Sequence, residues 1–262
     1  MTEPSRARGQ SAASALRPAD GAVLVLLSLA AGCVDAVSFL GLGQVLTAAM
    51  TGNTVLLGLA LGQAELQAAL RSVVALLGFF IGVLLGASIV QPVPGRLGSA
   101  AVAAALAIEL ALLLVLAVAW QLADGDRWVE IRLALIAMAG LAMGIQSAIA
   151  HRIGIAGIAT TYVTGTLTTI GTRLVAGLRG AWRGEPAQEG KLSWLPAMAW
   201  IAYGIGAVLA GATYHWWPPV ATSLGIGREV RWSSAALLLP LVVVATVMLM
   251  VALGHRRPAA HA

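Results

Sequence analysis

The residues best suited to chemistry form a short polar knot inside an apolar run, Ala49-Met50-Thr51-Gly52-Asn53-Thr54-Val55. Thr51 and Thr54 bring hydroxyls, Asn53 brings two donors and an acceptor, and Gly52 lets the backbone leave helical geometry. Together they could coordinate a small polar solute or ion through hydroxyls, an amide and freed carbonyls. A weaker copy stands at Thr164-Gly165-Thr166, with Thr166 in place of the asparagine. One fixed offset carries Gly41 onto Gly154, Thr51 onto Thr164, Gly52 onto Gly165 and Gly58 onto Gly171, which argues for an internal duplication. Two polar knots at matching places in two halves point to a site between repeats near mid-bilayer, each knot interrupting its helix. The competing reading makes the same Thr and Asn side chains hydrogen-bonding glue between helices.

Two carboxylates, Asp35 and Glu109, fall within apolar segments. An ionised carboxylate is costly there and is usually paired or functional, so both are proton-coupling candidates. The alternative is a position at a helix end within reach of water. Neither HExxH, nor CxxC, nor a glycine-rich phosphate loop occurs, and His151, His215, His255 and His261 lie near segment ends or in the tail. The sequence therefore gives no reason to expect a metal, a cofactor or a catalytic nucleophile, and an enzyme is the poorer class.

Composition says what must hold these residues. Of 262 residues, 59% are hydrophobic and 10% charged, where a soluble domain carries roughly a quarter charged. Several runs reach the roughly 20 apolar residues that cross a bilayer as helix. The net charge of +5 does not indicate nucleic acid, because the basic residues stand at the ends of apolar runs and orient the chain there. Leu29-Ala30-Ala31-Gly32-Cys33 loosely resembles a lipoprotein cleavage box, but the apolar run continues past Cys33. Six of the tryptophans, from Trp120 to Trp232, sit near segment ends as an interfacial belt requires.

The fold expected is all-α, a polytopic membrane helix bundle of two internal repeats. Each repeat has three ordinary spans and one polar, Gly-interrupted membrane segment. Residues 1–20 read as a disordered cytoplasmic tail, 21–121 as the first repeat, 122–129 as a loop, 130–254 as the second repeat and 255–262 as a cytoplasmic tail. Gly78, Gly82 and Gly86 share one helix face, with Gly206 and Gly211 in the second half, and such faces let backbones approach closely. They could also pack copies of the chain into a homo-oligomer. Pro240 is expected to kink the last span. Two topologies compete: eight crossings with two discontinuous, or knot segments that dip in and return. Both put most Arg and Lys inside and both termini in the cytoplasm; segment length favours eight crossings.

Gly32-Cys33-Val34-Asp35-Ala36-Val37-Ser38-Phe39-Leu40, then Gly43, then Met50-Thr51-Gly52-Asn53-Thr54 through Leu57-Gly58, resembles the YoaK-like bacterial membrane proteins, a domain of unknown function. The resemblance spans Ala22 to Gly254. It implies a small inner-membrane protein of about six spans, and it supplies no activity and no catalytic residue. The functional expectation is a transporter or channel-like carrier of a small polar solute or ion, embedded in the lipid bilayer. The alternative is a non-transporting accessory or assembly subunit.

Overall fold

The computed structural model describes residues 18–91, 98–122, 127–153, 163–182, 194–223 and 236–254. The side chains of Thr164, Thr166 and Arg173, most of both tails and part of the 122–129 loop lie outside the described residues. Every regular element among the described residues is a helix: α1 (Pro18–Gly41), α2 (Met50–Gly62), α3 (Leu66–Val90), α4 (Gly98–Leu122), α5 (Arg127–Ile153), α6 (Val163–Trp182), α7 (Leu195–Ser223) and α8 (Leu238–Gly254).

Five of these, α1, α3, α4, α5 and α7, are long and apolar enough to cross a bilayer. With 17 residues, α8 spans about 26 Å, just short of the hydrocarbon thickness. With 13 residues, α2 reaches only about 20 Å and is too short. Pro240 does not kink a span. It lies in the first turn of α8, where a missing N–H costs little.

Glycines set the two tightest helix pairs. On α3, a Cβ at Gly78 would stand 2.6 Å from the Ala137 carbonyl oxygen, and one at Gly86 2.8 Å from the Ala148 Cβ. At Gly82 it would run into the Leu141 carbonyl oxygen of α5. From α5, Gly140 and Gly144 answer against Ala75 and Phe79. The second pair is α1 with α7, where Gly32 lies on the Tyr203 carbonyl and Gly206 on the Leu29 carbonyl. Gly211 is different: no described atom comes within 4 Å of where its Cβ would be. The expected packing contact at Gly211 is therefore absent among the described residues, because the contacting stripe of α7 passes through Gly206 instead. Around these pairs, α4 packs on α5 and α8, α8 on α1, α2 on α3 and α6 on α7.

The contacts also give direction. Contacts between α3 and α5 step along both chains together, as do those from Gly21–Leu195 to Gly32–Tyr203 between α1 and α7, so each pair is parallel. Gly41 abuts Trp120, and Gly43 abuts Arg71. The end of α1, the start of α3 and the end of α4 thus lie at one end of the bundle. The chain between α1 and α3 leaves from that end and returns to it. This corrects the eight-crossing expectation: the first knot segment dips and does not cross. At the other end, Arg152 Nε donates to the Val90 carbonyl at 3.1 Å, and Leu195 lies beside Gly21. The stretch from α5 to α7 likewise begins and ends on one side. Among the described residues, α2 packs on α3 and α6 on α7.

Candidate functional site

The chain breaks helix before the knot, not within it. Residues 42–49 are non-helical, with Gly43 at φ +95° and Gln44 at φ 59°. Glycine takes the left-handed region without cost, which is what the sharp reversal after α1 needs. Regular helix resumes at Met50, so Met50-Thr51-Gly52-Asn53-Thr54 is the opening turn of α2.

Two buried side chains hold the reversal. Asp35, 3% exposed on α1, accepts the backbone N–H groups of Thr47 at 2.7 Å, Ala48 at 2.6 Å and Ala49 at 3.0 Å. Its Oδ2 also accepts the Tyr203 hydroxyl at 2.5 Å, from α7. Asp35 stands a turn and a half before the end of α1, roughly 9 Å inward. Residues 47–49 are therefore drawn down to that depth. Asn53, fully buried, grips the other side: its Oδ1 accepts the Leu46 N–H at 2.9 Å and its Nδ2 donates to the Leu46 carbonyl. The Ser38 and Thr47 hydroxyls share a further bond of 3.3 Å. A non-helical segment inside a bilayer must have its backbone polar groups satisfied by protein. Here the side chains of Asp35 and Asn53 meet much of that need.

The residues of the first knot consequently divide. Asn53 is spent on Leu46, and the Thr54 hydroxyl donates to the Met50 carbonyl at 3.0 Å. A Cβ at Gly52 would meet only the tip of Leu46. Thr51 is exposed, and its hydroxyl bonds to no described residue. It faces a cavity of about 570 Å³ between α2, α3 and α5. Ala48, Met50 and Thr51 form the floor, and Phe79, Val83, Ala87, Ser147 and Ala148 the walls. Val90, Gln91, His151 and Arg152 ring the far end, where α3 and α5 finish. The floor lies level with the middle of α3. There the first turn of α2 presents the positive end of its dipole, although the amides of Met50, Gly52 and Asn53 bond to the Ala48 and Ala49 carbonyls.

Glu109 does not join this site. It is fully buried at the middle of α4, and neither of its oxygens has a hydrogen-bond partner among the described residues. In the second half, Gly165 lies in the first turn of α6 and its carbonyl accepts the Thr169 hydroxyl at 2.8 Å. The run 154–162 before it is outside the described residues. No group of His, Cys, Asp and Glu that could hold a metal occurs among the described residues.

Sequence reasoning missed Tyr203, Gly32, Gly140 and Gly144. The last two were readable as glycines four apart. Tyr203 carried no local signal, since its partner is on another helix.

A family model described as a protein of unknown function (DUF1275) matches residues 23–250. The chain belongs to this family. It is also 37% identical over 212 residues to the UPF0700 transmembrane protein YoaK of Bacillus subtilis (strain 168), covering 78% of this chain and 91% of that protein. No solved structure matches. With a transmembrane relative and several apolar helices long enough to span, the chain is a multi-pass membrane protein of the DUF1275 family.

Proposed function

We propose that this DUF1275 protein carries a small polar solute or ion through a path that includes the cavity floored by Thr51. One observation carries this reading. A half-length membrane helix is held by buried Asp35 and Asn53 so that its opening turn closes a cavity at mid-depth. Building such a break costs buried polar groups, and irregular backbone at membrane depth is tolerated where it lines a cavity or is packed in protein. Thr51 is the contacting residue in this scheme, and Gly52, Asn53 and Thr54 shape the turn. Thr164, Gly165 and Thr166 would serve the equivalent turn of α6. Asp35 acts as an anchor, while Glu109, without a hydrogen-bond partner among the described residues, is the better candidate for proton coupling.

The two-repeat architecture is part of the proposal. Exchanging α1 with α5, α2 with α6, α3 with α7 and α4 with α8 turns the α3–α5 pair into the α7–α1 pair. It also turns α4–α5 into α8–α1 and α2–α3 into α6–α7. Helices α2 and α6 open at the same offset as the glycine and threonine matches. With α5 parallel to α3, the second half runs opposite to the first, as in inverted-repeat carriers. The positive-inside rule then puts both termini, Arg152 and the cavity mouth at the cytoplasmic face of a bacterial inner membrane.

Flux of candidate solutes into proteoliposomes tests the reading, with Thr51→Val as the matched control. Transport by the parent that falls in Thr51→Val supports it. Equal flux in empty liposomes and in proteoliposomes contradicts it. The accessory-subunit alternative draws on one observation: Gly211, Gly171 and Gly177 have no described atom within 4 Å of a Cβ position, leaving small-residue surface for a partner helix or a second copy.

A further inference from the structure

At the end opposite the cavity mouth, two arginines from parallel helices stand together. Arg71 lies in the second turn of α3 and Arg132 in the second turn of α5. The α3–α5 register, in which Gly78 meets Ala137 and Gly82 meets Leu141, puts them at one level within a turn. Both side chains are half-buried, and the Nε of each is buried with no hydrogen-bond partner among the described residues. Arg71 lies against Gly43, where a Cβ would be 3.0 Å from its Nε. Arg132 is close enough to repel Arg71, and exposed Glu65 attracts it, but neither arginine forms an ion pair with a described residue.

A buried guanidinium N–H without an acceptor is costly, and two such groups of like charge side by side are more so. The feature that relieves both at once is an anion between them. A tetrahedral oxyanion has the oxygens to accept from two forks, and arginine is the residue suited to that geometry. The Gly43 backbone, at φ +95°, packs directly against the Arg71 side chain, so the loop holds that guanidinium in place.

We propose that Arg71 and Arg132 form a binding site for a phosphate-class oxyanion, separate from the cavity. The pair stands near one end of the bundle, about 8 Å along α3 from Leu66. A phospholipid headgroup and a free phosphate are both sources of this chemistry. The anion joins α3 to α5 next to the loop held by Asp35.

The test uses the full chain in non-ionic detergent, exchanged out of phosphate and sulfate. Thermal unfolding is followed against inorganic phosphate, against chloride at matched ionic strength, and in mixed micelles with phosphatidylglycerol or phosphatidylcholine. The site predicts a saturable rise in Tm with inorganic phosphate for a free anion, or with phosphatidylglycerol alone for a headgroup. Arg71→Gln or Arg132→Gln should weaken the apparent affinity roughly tenfold, and the double variant should abolish the rise. Should the glutamine variants not fold, Arg71→Lys with Arg132→Lys keeps the charge, loses the planar forks and should still bind more weakly. No rise with either source, a rise equal to that in chloride, or a rise that persists in the double variant would overturn the site.

Discussion

At the scale of single residues, the knot separates into anchors and one free hydroxyl. Asp35→Asn keeps the shape but turns one acceptor into a donor facing amide donors. It should cost about 3 kcal/mol, because hydrogen bonds to a charged group are among the stronger ones. Tyr203→Phe removes one bond and should cost about 0.6–1.7 kcal/mol, the range of side-chain bonds between membrane helices. Thr51→Val should change stability by less than about 0.5 kcal/mol, since its hydroxyl binds no described residue, while reducing solute flux. Thermal unfolding of the three variants in detergent checks the order. A Thr51 variant as unstable as the Asp35 one would show that Thr51 belongs to the brace. The residue types of the knot could be read from the sequence; their division of labour could not. Asn53 looks like a ligand-binding amide until Leu46, seven positions earlier, is seen to occupy both its ends. Asp35 looks like a proton carrier because the amides it accepts are 12 to 14 positions away, on a segment whose own pattern is apolar.

Among elements, helix type and extent follow from apolar run length, so the long spans were readable. The glycine face of α3 was too, because a repeat of four along a helix is a local pattern. The register of α7 was less so: Gly206 and Gly211 both carry no side chain, and only the approach of α1 distinguishes them. Gly82→Leu should therefore lower stability by roughly 1–3 kcal/mol through overpacking, and Gly211→Leu should be nearly neutral. Equal melting of both variants and the parent would mean that the α3–α5 contact is not tight. The glycines of Gly41-Leu42-Gly43-Gln44 mark the break that ends α1, while the interruption expected inside the knot does not occur, for a physical reason. Thr51, Gly52 and Asn53 are poor helix formers, yet at the start of a helix that weakness costs little. Between α1 and α2 the chain leaves helix at residues 42–49, with positive φ at Gly43 and Gln44.

For the whole molecule, the ends of α1, α3 and α4 decide the topology, and no hydropathy profile contains that information. Segment length allows a stretch from Gly41 to Ala64 to cross; only the contacts of Gly41 with Trp120 and Gly43 with Arg71 show that it returns. This return places the opening turn of α2 at mid-depth and floors the cavity. Single cysteines at Gln44, Gln63 and Gln91, all exposed, introduced into a Cys33→Ser background, test it most directly. An impermeant thiol reagent added to one side of the membrane should label Gln44→Cys and Gln63→Cys together and spare Gln91→Cys, and the reverse side should label only Gln91→Cys. Labelling of Gln44→Cys and Gln63→Cys from opposite sides would mean that α2 crosses the membrane, and the account of the cavity would fall with it.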